Sequence, residues 1–171
     1  MSLYFSINYN VNINPPPLPN TTAQLLLDPD SLVRKGLNIP VVVSTPSLLS
    51  SAPLLIERKS IAVMAHLDTG ANKTSIDIKL AEYLKLLPTG FLKIQTAGGI
   101  IKMPTFVIDL HFQNTNLTPF INLSIGSCNL NFNINTNLND SKNFALLLGR
   151  DILSRWNIVW NGPTSTVLIN D

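Results

Sequence analysis

The sequence predicts an all-β domain, a closed barrel or sandwich with one or two short helices. Most of its apolar segments are short, β-branched or alternating, and Gly, Pro, Asn or Ser separates them. From Asn38 onward only two stretches space their apolar residues as a helix would. At 171 residues the chain suits one domain with a sizeable core plus an extension.

Residues 1–37 read as an N-terminal extension, partly flexible, and 38–171 as the folded domain. "FSINYNVNIN" alternates apolar and polar residues, as a short exposed strand does. "PPPLPNTT" breaks regular structure and favours polyproline geometry. "DPDSLVRKG" reads as one small helix, with Asp28 as cap, Pro29 in the first turn and Gly36 at the end. The extension suits a flexible leader and a docked arm equally. From Asn38 the strand candidates are "IPVVVSTP", "SIAVMAHL", "FLKIQTA", "IIKMPTFVIDLHF", "PFINLSIG", "LNFNI", "FALLL", "NIVW" and "TVLIN". "SIDIKLAEYLKLL" breaks this pattern, placing Ile76, Leu80, Tyr83, Leu84 and Leu87 on one helical face with Ser75 as cap. "RDILSRW" is a second, shorter helix candidate.

Composition excludes several functions. The formal charge of +2 is small and its Lys and Arg are scattered, which argues against nucleic acid. Charged residues are 13% of the chain, about half the usual share, which suits a surface partly covered by another subunit. A single Cys128 permits no internal disulfide, and with His111 it shows no metal-ligand spacing, so neither metal nor cofactor is expected. The first residues lack the charged start and apolar block of a signal peptide, and no run approaches the ~20 apolar residues of a membrane span. Asn72-Lys73-Thr74 is a sequon, but the chain is asparagine-rich and a glycan there would crowd the turn beside it. A cytoplasmic, reducing location is therefore expected.

Chemistry concentrates in "HLDTGAN", residues 66–72. The apolar strand "IAVMAHL" ends here, and Gly70 and the small Ala71 let the backbone turn sharply. Asp68 thus sits at a strand end, near amides that can hydrogen-bond a carboxylate. Alone, the tripeptide also fits a simple Asx turn. About 80 residues later, "FALLLGRDIL" gives an apolar strand, a glycine and a charged helix start. This pair, with "TAGGIIKMP" between, resembles the retropepsin-like aspartic proteases over roughly residues 38–171. The helix after "DTGANKT" and the terminal "WNIVWNGPTSTVLIND" are similar to cellular and bacterial members rather than compact viral ones.

The resemblance implies an aspartic endopeptidase in which Asp68 is catalytic. The chain has one Asp-Thr-Gly and no second such motif, yet this chemistry needs two carboxylates sharing a proton. A two-fold homodimer, contributing one Asp68 per subunit, is the economical answer. Asp77, in the first turn of a helix, Asp109, in a half-exposed strand, and Asp151, opening the short helix, are the alternatives within the chain. The resemblance further implies that Thr69 locks the two active-site loops together and that Gly70 offers its carbonyl to an extended peptide substrate. Ala71, Asn72 and His66 would line the substrate cleft, and Gly98, Gly99 and Ile100 would form a flap over it. Gly149, Arg150 and Asp151 would support the loop from behind. Some viral members carry Asp after the Ala, able to pair with the arginine, where this chain has Asn72. His66 shares a side with Asp68 by strand alternation, and also suits a solvated rim position. Ala71 in place of Ser or Thr removes a hydrogen bond from the carboxylates, implying activity from mildly acidic to near-neutral pH. A peptide-binding or assembly module that kept the fold without cleavage is the other reading, and the intact Asp-Thr-Gly-Ala weighs against it. Serine-hydrolase and glycosidase readings fail, because no G-x-S-x-G is present and the chain offers no second carboxylate in a matching motif.

Overall fold

Eleven strands and two short helices carry the described backbone of the computed structural model, which covers residues 3–7, 23–27, 36–46, 58–96, 99–113, 115–135 and 144–171. For 3–7, 23–27 and 94–96 only the backbone is described. The strands are β1 (Leu3–Ile7), β2 (Ala23–Leu27), β3 (Asn38–Ser44), β4 (Ser60–Leu67), β5 (Ser75–Asp77), β6 (Gly90–Thr96), β7 (Gly99–Phe112), β8 (Phe120–Cys128), β9 (Phe144–Leu148), β10 (Asn157–Asn161) and β11 (Thr166–Asn170). The helices are α1 (Ile78–Tyr83) and α2 (Arg150–Leu153). "PPPLPNTT", the helix expected over 28–35 and Gly98 lie outside the described residues.

Six strands close into a barrel in the order β3-β4-β9-β5-β8-β7, and pairing of β3 with β7 completes the ring. This all-β layout is the predicted class. Closure leaves no open edge among these six, and period-2 alternation turns one face of each strand inward. Val41, Val43, Ile108, Leu110, Leu146 and Leu148 are fully buried in that interior. β6 extends the sheet beyond the barrel as a hairpin with the long β7. A second sheet has the order β1-β2-β11-β10. Its β2, not anticipated from "AQLLL", pairs antiparallel with β11, so strands from both sides of residue 38 share one sheet.

Three local expectations need correction. "SIDIKLAEYLKLL" is not one helix, since Ser75–Asp77 pairs with both β8 and β9 and α1 begins only at Ile78. Asp77, not Ser75, caps it by accepting from Lys79 N–H at 2.8 Å, and Tyr83 and Leu87 are exposed. "LNFNI" forms no strand. Asp77 Oδ2 accepts from the N–H groups of Leu130 and Phe132 at 2.6 and 3.3 Å, where a neighbouring strand would otherwise bond. Asn129 and Asn133 fold the same segment into Asx turns. Asp109 is fully buried rather than half-exposed, because the register shifts between Ile108 and Leu110. Arg58 and the Asn122 N–H meet its carboxylate at 3.1 and 2.8 Å.

Candidate active site

β4 and β9 run parallel and side by side, with Leu67 opposite Leu148. Asp68 is the first residue past the strand, yet its N–H still donates to Leu148 O at 3.0 Å. The carboxylate is thereby fixed at the strand ends. The chain then turns within three residues. Asp68 Oδ1 accepts from Gly70 N–H at 2.8 Å, and Asp68 O accepts from Ala71 N–H at 3.2 Å. A Cβ on residue 70 would lie 3.0 Å from Asp68 Oδ1, so a side chain there would press on the carboxylate. Thr69 and Gly70 are exposed, and Asp68 and Ala71 are half-buried.

The β9–α2 junction holds this turn from behind. Arg150 N–H donates to Ala71 O at 2.9 Å, and the Arg150 guanidinium donates to Asn72 Oδ1. Asn72 thus supplies an uncharged acceptor to the arginine. Deeper, the fully buried Thr74 hydroxyl donates to Asp151 Oδ1 at 2.8 Å and accepts from Gly149 N–H at 3.0 Å. The same Asp151 oxygen accepts from the N–H groups of Thr74 and Ile152 at 2.9 and 3.1 Å. Lys73 Nζ stands 3.9 Å from its other oxygen. Gly149 is needed for space: a Cβ there would meet the Lys73 carbonyl carbon at 2.5 Å. These bonds join segments more than 70 residues apart in sequence.

His66 sits on β4, two residues before Asp68. Its Nδ1 lies 2.8 Å from Asn38 Oδ1, its ring stacks on Phe144 at 5.0 Å, and a Cβ on Gly36 would touch its Cε1 at 2.5 Å. The imidazole is therefore wedged, half-buried, between β3 and β9. Burial pushes its pKa below the ordinary value of 6.5, and the Asp68 charge works against that shift.

Asp68, Gly70, Ala71, Asn72, Thr74, Gly149, Arg150 and Asp151 thus form one hydrogen-bonded cluster, with Thr69 in its turn and His66 beside it. Gly99 and Ile100 lie instead on the β6–β7 hairpin. Gly99 has φ +113°, a conformation that favours glycine, and Ile100 is largely exposed. Sequence reasoning missed Thr74 and Asn38. Neither has a local signal, because each matters through a partner distant in the chain. Among the described residues no group of three or more His, Cys, Asp or Glu could hold a metal ion, and no helix is long and apolar enough to cross a membrane.

Asp77, Asp109 and Asp151 are each engaged internally, and no cation lies within salt-bridge distance of Asp68 among the described residues. Among the described residues the Asp68 carboxylate accepts only from Gly70, within its own exposed turn. No protein-family model matches the chain, and comparison with curated proteins gives no match. Among solved structures the chain is similar to the crystal structure of a retropepsin-like aspartic protease from Rickettsia conorii. The identity is 20%, covering 80% of this chain and 91% of that one, with a TM-score of 0.41.

Proposed function

We propose that the chain is an aspartic endopeptidase that acts as a homodimer, with Asp68 of each subunit meeting at the two-fold axis. One observation carries this reading: Asp68 is held at paired strand ends by a braced turn, while the other aspartates weighed as its partner are occupied elsewhere. A second working carboxylate therefore comes from a second copy.

Two carboxylates at about 3 Å cannot both ionise cheaply, so the pair holds one proton. The ionised Asp68 takes a proton from water as its oxygen attacks the peptide carbonyl carbon. The protonated Asp68 gives its proton to the carbonyl oxygen. Collapse of the tetrahedral intermediate returns a proton to the leaving amine. Water is the nucleophile, and no cofactor enters the step. Thr69, exposed at the turn, reaches towards its counterpart across the dimer, and the Gly70 carbonyl meets the substrate backbone. Ala71, Asn72 and His66 border an extended peptide, over which the hairpin bearing Gly98, Gly99 and Ile100 closes. Gly149, Arg150 and Asp151 position the loop. We assign this unit to residues 38–171, with β1 and β2 of the extension adding to the outer sheet, and place it in a reducing, cytoplasmic setting.

Asp68→Asn tests the reading, because it keeps size and most hydrogen bonds while removing the base. Hydrolysis of an unstructured protein substrate should fall by at least ~10³-fold. The dimer should be as stable as wild type or more so, since the repulsion is gone. Undiminished cleavage by Asp68→Asn overturns the assignment, and a wild type that binds peptide but cleaves nothing between about pH 4 and 7 leaves a binding module instead.

A further inference from the structure

The β6–β7 hairpin carries a pair of like charges. Register places Lys93 directly opposite Lys102, so both side chains stand on one face. Phe91 and Ile100 share that face, each two residues from a lysine, and are 60% and 69% exposed. Like charges directly opposite in a sheet are destabilising. Nothing acidic relieves them locally, because residues 83–108 contain no Asp or Glu. Among the described residues neither lysine lies within salt-bridge distance of a carboxylate. Lys102 instead rests its Nζ 4.3 Å from the centre of the Phe91 ring. Among the described residues β6 is also the last strand of its sheet and pairs with β7 alone, which leaves one edge of its backbone for a further strand.

We propose that this open edge of β6 docks an extended acidic segment of another protein. A strand added there would bond to the free backbone edge, and its alternate side chains would stand beside Phe91 and Lys93. The matching segment has an apolar residue two positions from an aspartate or glutamate, with further acid reaching Lys102. An anionic membrane fits less well, since two lysines give weak lipid attraction and lipid makes no use of an open strand edge. The surface excludes Asp68 but lies on the same hairpin as Gly99 and Ile100, the residues given to the flap in the proteolytic reading, and the anisotropy test reads binding without hydrolysis.

The test is fluorescence anisotropy with the full chain at low salt, using a labelled peptide matched to the seven residues of β6, Val-Thr-Glu-Thr-Val-Thr-Glu, which places Val and Glu two positions apart on one face (the Val/Glu peptide). The same peptide with Gln or Lys in place of Glu (Val/Gln and Val/Lys) and phosphatidylserine vesicles are the comparisons. The Val/Glu peptide should bind and be weakened by salt, with the Val/Gln peptide about tenfold weaker. Lys93→Gln with Lys102→Gln should cost about tenfold in peptide affinity, or ~1.4 kcal/mol, with no loss of melting temperature because the opposed charges are removed. Lys93→Glu with Lys102→Glu should transfer the preference to the Val/Lys peptide, which keeps the test decisive if the neutral variant folds poorly. Equal affinity for Val/Glu and Val/Gln, or no loss in the neutral variant, overturns the proposal. So does vesicle binding without peptide binding. A neutral variant that self-associates while peptide binding is unchanged makes the lysines a guard against edge pairing instead.

Discussion

Replacing Thr74 by Val removes one oxygen from the brace behind Asp68 and barely changes the side chain's shape. Thr74 is fully buried, and its hydroxyl both donates to Asp151 and accepts from Gly149 N–H. Losing a hydrogen bond to a charged acceptor costs roughly 1.5–3 kcal/mol, and a buried amide left without an acceptor roughly 1–3 kcal/mol. The two together give about 3–5 kcal/mol for Thr74→Val. Thr74→Ser keeps the hydroxyl and loses one methyl, for about 1 kcal/mol. Urea unfolding of both variants, compared at constant m-value, measures the difference. A cycle with Asp151→Asn should show coupling of about 1 kcal/mol or more, because the two side chains share a bond. If Thr74→Val is no costlier than Thr74→Ser, the hydroxyl is not bracing the turn and the account of the loop is wrong.

Two further predictions follow from the same region. Gly149→Ala forces a Cβ against the backbone of Lys73 and should destabilise by about 1–3 kcal/mol or more, read as a lowered melting temperature; a neutral effect contradicts the close approach. Burial holds the folded-state pKa of His66 below 6.5, so the unfolded chain takes up a proton that the folded chain resists. Stability should therefore be full above pH 6.5 and decline as pH falls below it. His66→Gln should flatten the melting-temperature profile between about pH 7 and 5, and an unchanged slope refutes the assignment.

Much of the fold was legible because its strands carry their own pattern. "IPVVVS", "SIAVMAHL" and "TVLIN" alternate or run β-branched between turn residues, and each is a strand. Ser75–Asp77 was not legible: three residues hold no period, and the leucines beyond them impose a helical one. "LNFNI" misled in the other direction. Its alternation does bury Phe132, but the partner for its amides is the Asp77 carboxylate rather than a strand. The Asp68 turn could be read locally, since its glycine and its strand are adjacent. Its brace could not, because Thr74 meets Gly149 and Asp151 only after the barrel closes.

The central claim is that one working site is built from two copies of Asp68, and subunit mixing tests it most directly. Wild type and Asp68→Asn chains are allowed to exchange at fixed total concentration, and peptide hydrolysis is followed as the wild-type fraction changes. A shared site predicts that activity falls with the square of that fraction, leaving about one quarter at an equal mixture. A linear fall, leaving about one half, would mean that each chain carries a complete site and would contradict the account.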